Sequence, residues 1–219
     1  MKHYFKFIIY LYVLYGFSFA AAGSYDDYFS AILKDDAPAV SALLARGFDP
    51  NTRNPAGDHG LLIALRVGST KVVPVLLAQP KLDVEARNRQ DESALMIASI
   101  KGMTETVQLL LDKEADVNKP GWTPLHYAAT GGHLQIMQLL LDNHAYIDAA
   151  SPNGSTPLMM AAMYGTPSAV KLLLEAGADP LLKNEIGLTA IDFAQRASRK
   201  ESVDIIAAFV RARQPRGQW

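Results

Sequence analysis

The feature that most constrains this chain is a sequence that repeats itself. Ser93-Ala94-Leu95-Met96-Ile97-Ala98, Thr123-Pro124-Leu125-His126-Tyr127-Ala128, Thr156-Pro157-Leu158-Met159-Met160-Ala161 and Thr189-Ala190-Ile191-Asp192-Phe193-Ala194 align, with a degenerate copy at His59-Gly60-Leu61-Leu62-Ile63-Ala64 before them. Their third residues fall at 61, 95, 125, 158 and 191, steps of 34, 30, 33 and 33. A second signature follows in phase: Val75-Leu76-Leu77, Leu109-Leu110-Leu111, Leu139-Leu140-Leu141 and Leu172-Leu173-Leu174. Half of a further copy stands upstream, in Val40-Ser41-Ala42-Leu43-Leu44 and Gly47-Phe48-Asp49-Pro50-Asn51. A period in the low thirties is the mark of stacked supersecondary units that bury their apolar sides against one another.

The residue types suit helix pairs. Thr123 and Thr156 can cap a helix through their hydroxyls, and Pro124 and Pro157 fit a first turn that needs no N–H. Thr189 with Asp192, and Ser24 with Asp27, repeat the capping pattern with Asp in place of Glu. Alanines at 94, 98, 128, 129, 161 and 162 leave room for neighbouring helices, and the leucine runs supply the buried side of each second helix. Pro74 is predicted in the first turn of its helix, because a deeper position would cost about 3 kcal/mol.

On these motifs each unit resembles an ankyrin repeat, most closely the fourth, with Thr123-Pro124-Leu125-His126-Tyr127-Ala128-Ala129, Gly132-His133 and Leu139-Leu140-Leu141. The resemblance implies an all-α fold, an ankyrin-repeat α-solenoid of helix-loop-helix units with short β-turn fingers and five to six repeats. The repeats fall at about 24–54, 55–88, 89–118, 119–151, 152–184 and 185–212, inside a domain over 23–212, with a flexible tail over 213–219. The first and sixth copies depart from the pattern and read as terminal caps.

The segment before the repeats is of another kind. Lys2 and Lys6 precede an uncharged run, Phe7 to Phe19, and small residues Ala20-Ala21-Ala22 follow. This is the pattern of a secretory signal peptide over 1–22, cleaved after Ala22 or after Ala20. The alternative is an uncleaved anchor, since no charge appears until Asp26. Either way the chain is expected to be exported. The absence of Cys fits the periplasm, with an inner-membrane anchor facing the periplasm as the alternative. It also excludes disulfides, thiolate metal sites and Cys nucleophiles.

The 21 Lys and Arg against 22 Asp and Glu, a formal net charge of −1, lack the footprint of a general nucleic-acid binder. No G-x-S-x-G, phosphate-binding loop or dinucleotide motif occurs, and none of the five His has the helical two-His spacing of a zinc protease. Asp26-Asp27 and Asp35-Asp36 read as solvated carboxylates. No catalytic residue, metal or cofactor is therefore expected. The resemblance assigns His126 and His133 hydrogen bonds to backbone and neighbouring repeats. Asn153-Gly154 reads as a turn at a loop tip.

The connection from Asp116 to Thr123 spans seven positions, whereas the corresponding ones span ten. It predicts a notch with Trp122 at its edge, either as a partner anchor or folded back on Pro120 or Tyr146. The family's geometry implies recognition by finger tips and inner helices, here Asp58, Arg66, Gln90, Glu92, Lys101, Trp122, Thr130, Asn153, Ser155, Met163, Tyr164, Glu185, Ile186 and Arg196. The expected function is a non-catalytic protein–protein interaction module, a monomer that binds an unidentified protein, with no nucleic acid and no membrane once the signal is removed. An immunity or inhibitor protein of an exported toxin or enzyme is the alternative, as is a membrane-tethered scaffold if the first segment stays attached.

Overall fold

A computed structural model describes residues 23–213; the expected signal segment 1–22 lies outside them, as does the expected tail apart from Arg213. The described residues are all-α helix-loop-helix units. They divide into two compact units, the first reaching Asp83 with Arg87–Gln90 added, the second comprising Val84–Ala86 and the chain from Asp91 onward.

The first unit holds α1 (residues 23–33), α2 (Ala37–Ala45), α3 (Gly60–Val67) and α4 (Val72–Leu77). Ala31, Ala64, Leu61, Leu62 and Leu65 are buried among Val72, Val73 and Leu76. Pro74 lies in the first turn of α4, as its missing N–H requires. Asp35 and Asp36 are not free solvated carboxylates. Asp36 accepts the Ala39 N–H at 3.0 Å and caps α2. Asp35, at φ 54°, accepts the N–H groups of Lys71 and Val72 at 2.9 and 3.0 Å, and so caps α4 of the following repeat.

The second unit contains four helix pairs: α5 (Ala94–Ile100) with α6 (Thr104–Leu111), α7 (Pro124–Gly131) with α8 (Leu134–Asp142), α9 (Pro157–Met163) with α10 (Pro167–Glu175), and α11 (Ala190–Arg196) with α12 (Lys200–Arg213). The inner helices α5, α7, α9 and α11 pack in sequence order. Ala98, Ala128, Ala161 and Ala194 recur where they meet, all fully buried or nearly so, because a larger side chain would hold the helices apart. The leucine runs bury Leu110, Leu140 and Leu173 against them. Thr156 and Thr189 start their inner helices as predicted, the latter with its hydroxyl and N–H both donated to Asp192, and Ser93 caps α5 in the same way as Thr156.

A polar side chain fastens each loop to the next. In the first unit Asn51 donates to the Lys81 carbonyl and accepts the Asp83 N–H, both at 2.8 Å. In the second, Glu85 accepts the Asp116 N–H at 2.8 Å, Asn118 bridges the His144 carbonyl and the Tyr146 N–H at 2.8 Å each, and Asp148 accepts the Asp179 N–H at 3.2 Å. Position 181 carries an exposed leucine instead, so the ladder stops there. Asn118→Ala is expected to lower stability by about 1 kcal/mol in urea denaturation, because its two bonds lie near water, which partly replaces them.

Candidate functional site

Tight fingers lead into the inner helices. In the first unit Asn54 and Asp58 close one through the Asn54 N–H to the Asp58 carbonyl at 2.9 Å. In the second, the Ser151 N–H donates to the Ser155 carbonyl at 2.9 Å and the Asn184 N–H to the Leu188 carbonyl at 3.0 Å. Gly154, at φ 74°, makes the Asn-Gly turn at a finger tip as expected. The Glu185 N–H then donates to the Asn153 carbonyl at 3.1 Å and ties these two fingers together.

The short connection before α7 has no such closing bond among the described residues; an ion pair to the preceding finger holds it instead. Lys119 folds across it with its side chain only 10% exposed, giving its ammonium to the Asp91 carboxylate and, at 3.2 Å, to the Asp91 carbonyl. Trp122 pairs its ring with His126 and Tyr127 and not with Tyr146, which is 69% exposed. Half-buried, it stands edge-on to His126 at 5.3 Å and to Tyr127 at 6.5 Å between centroids. Trp122→Ala is therefore expected to cost about 2 kcal/mol of stability by chemical denaturation, since it removes both ring contacts and much buried area. Tyr164→Ala, at an exposed site, should stay within about 0.5 kcal/mol.

His126 is the centre of the fourth repeat. A carbonyl can only accept, so its Nε2 carries the proton donated to the Ser155 carbonyl at 2.9 Å; a backbone N–H can only donate, so Nδ1 is bare and receives the Thr123 N–H at 3.1 Å. The Thr123 hydroxyl also lies 2.9 Å from Nδ1. Burial lowers the His126 pKa to about 4. His133 reaches the Ile100 carbonyl at 3.0 Å. Both histidines join neighbouring repeats, as the resemblance implied. In the first unit His59 pairs through Nε2 with Asn51 at 3.1 Å while Nδ1 stays buried without a partner, and burial followed by Arg53 lowers its pKa.

Of the sequence-selected residues, Asp58, Arg66 and Gln90 belong to the first unit. Asp58 is half-buried with the Arg66 guanidinium at 3.4 Å, and Gln90 is exposed beside Asn88, which accepts its N–H. The rest belong to the second unit. Lys101, Asn153, Tyr164, Glu185, Ile186 and Arg196 are exposed; Glu92, Trp122, Thr130 and Met163 are half-buried, and the Thr130 hydroxyl turns back to the His126 carbonyl at 2.8 Å. Ser155 is a correction: it is fully buried, its N–H held by Ser151 and Asn153 and its carbonyl by His126, and it cannot touch a partner.

Two features were not singled out from sequence. Tyr127 sits half-buried beside Trp122, its pKa raised by burial and then by Glu92 and Asp91. In the first unit Tyr25, Phe29 and Leu33 line a shallow apolar recess of roughly 500 Å³ with Pro55 and Ile63. Their spacing of four along α1 was a legible stripe. Among the described residues no cluster of His, Asp and Glu is arranged to hold a metal, and no helix is long and apolar enough to cross a membrane.

A family model described as ankyrin repeats (three copies) matches residues 29–120, 61–153, 113–184 and 147–212. The chain is similar to human transient receptor potential cation channel subfamily A member 1, 32% identical over 166 residues, which is 70% of this chain and 15% of the channel. It is similar to the mouse B-cell lymphoma 3 protein homolog, 32% identical over 152 residues, 66% of this chain and 34% of that one. To mouse ankyrin repeat and SAM domain-containing protein 6 the figures are 38% over 124 residues, 54% of this chain and 14% of that protein. The chain thus spans about a third or less of the length of these curated relatives. Among solved structures it resembles a chain from the Bdellovibrio bacteriovorus predatory endopeptidase Bd0816 in complex with immunity protein Bd3460, with a TM-score of 0.72, 28% identity, and coverage of 83% of this chain and 97% of that one.

Proposed function

The chain belongs to the ankyrin repeat family, and from that premise we propose that it is a non-catalytic, monomeric module that holds a partner protein on its fingers and inner helices in an exported compartment. Repeats of this family are in general protein-interaction modules. The observation that carries the proposal is the second unit's outward apolar side chains, Tyr164 at 54% and Ile186 at 71% exposure, on a surface otherwise edged by charge. An apolar centre with a polar rim is the anatomy of a protein interface. Export, to the periplasm first and as an inner-membrane anchored form second, is supported by Lys2 and Lys6, the apolar run Phe7 to Phe19, the small residues after it and the lack of Cys. N-terminal sequencing of the exported protein should return Gly23 if the segment is cleaved after Ala22.

A photo-crosslinking side chain at position 186 or 164 should capture the partner covalently, and one at Gln138, exposed on the outer helix α8, should not. Capture from position 138 alone would contradict the proposal.

The second reading, an immunity or inhibitor protein of an exported toxin or enzyme, is favoured by the likeness to a chain of the endopeptidase–immunity complex. It requires that the captured partner be an exported enzyme or toxin whose activity stops when this protein is added at equal concentration. Unchanged activity in the bound state would leave the simple binding module.

A further inference from the structure

One part of the second unit's surface differs chemically from the rest. Tyr164, at the end of α9, is 54% exposed, and Arg199 of the next repeat donates from Nη2 to the Tyr164 carbonyl at 3.1 Å. That bond fixes a guanidinium at the end of α9 instead of leaving it to sweep through solvent. Arg196 lies in the last turn of α11, which packs directly on α9, and Lys200 opens α12. Ser198 between them is left-handed, at φ 55°, in the turn from α11 to α12, so the three cations lie within five residues around that turn.

Arg196, Arg199 and Lys200 are all exposed, and none forms an ion pair among the described residues. Asp192, four residues before Arg196, is already held by the Thr189 N–H at 2.7 Å and hydroxyl at 2.6 Å. Among the described residues no carboxylate stands within ion-pair distance of the three cations, although Asp192 feels the Arg196 charge, and the exposed Tyr164 ring lies at the carbonyl that Arg199 holds. Guanidinium groups of this kind match carboxylates in a fixed two-pronged geometry.

We infer that Tyr164, Arg196 and Arg199 anchor the interface by taking a loop of the partner protein that carries an Asp or Glu beside an apolar side chain. The inference rests on the binding-module reading above. The carboxylate meets the two guanidinium groups, and the apolar neighbour lies on Tyr164 and Met163. A nucleic-acid strand is the less suitable occupant: the chain's formal net charge is −1, and a polyanion needs a longer run of phosphate contacts than these three cations offer.

The test pans a random-peptide phage library against the immobilised full chain at about 0.15 M salt, where long-range attraction is screened. Enriched sequences are then made as fluorescent peptides and titrated. Acidic sequences with an adjacent aliphatic or aromatic residue are expected. Their affinity should fall at least about tenfold with Arg196→Glu/Arg199→Glu and severalfold with Tyr164→Ala. Tyr164→Ala should keep its melting temperature; the reversal loses the exposed Arg199 bond to the Tyr164 carbonyl and with it a few degrees at most, so affinities are compared below that range on folded protein. Neutral or basic enriched sequences, or acidic ones indifferent to the reversal, would overturn the anchor and leave the binding module standing. Displacement of the peptide by a single-stranded oligonucleotide at the same salt would also overturn it, in favour of a polyanion. Enrichment only of peptides that depend on outer-helix residues such as Gln138 would overturn the binding-face reading itself, and enrichment of nothing would overturn both.

Discussion

His126→Leu is expected to lower the stability of the second unit by about 3 kcal/mol in urea denaturation at neutral pH. Leucine fills much of the imidazole's space, so the cost lies in what is left behind. The Thr123 N–H and hydroxyl lose their imidazole partner in a place where water cannot reach, Thr123 being 2% exposed, while the fully buried Ser155 carbonyl is left with the Ser151 N–H alone. Each stranded buried group costs about 1–3 kcal/mol. The same substitution should also change the acid response. The folded-state pKa of His126, about 4, lies below its ordinary value of 6.5. The neutral ring therefore contributes its full stabilisation above pH 6.5, and that contribution is lost as the pH falls through 4. Protonation would place an N–H on Nδ1 against the Thr123 N–H, donor against donor. His126→Leu should lose less stability across this window than the parent chain.

Gly165→Ala is the second large effect, again about 3 kcal/mol, at the upper end of what overpacking costs. A Cβ there would press on the Ala129 carbonyl oxygen and lie 2.9 Å from that of Ala161. Both are helix backbone, of α7 and α9, so relief comes only by moving two inner helices that meet through alanines. Gly177→Ala is the control. Gly177 has φ 108° but open space around it, so alanine should cost only about 1 kcal/mol of backbone strain. If the two variants lose the same stability by denaturation, close packing between α7 and α9 is not what holds the repeats together.

The repeat architecture was readable because two signatures recur in phase, and because Thr-Pro at a helix start and alanine at a helix contact each have one physical use. The terminal and singular features were not. Asp35 reads as a solvated carboxylate, yet its left-handed backbone turns it onto the N–H groups of α4, a placement for which no other copy supplies a parallel. The loop ladder escaped a search by residue type because it uses Asn51, Glu85, Asn118 and Asp148, which share only an oxygen that accepts an N–H. Ser155 was misplaced for a related reason. The position before each helix cap is held by Asp58, Glu92, Trp122, Ser155 and Leu188, and only the small serine is drawn fully inside, closing the finger on His126. The short connection showed that three positions were missing, but nothing in its residues announced that Lys119 would reach back to Asp91.

Hydrogen exchange on the full chain, alone and with its captured partner, tests the central claim most directly. Binding on fingers and inner helices should slow exchange in the second unit at 151–155 and 184–188 and at the ends of α9 and α11, while the outer helices α6, α8 and α10 exchange as before. Protection confined to those outer helices would contradict it.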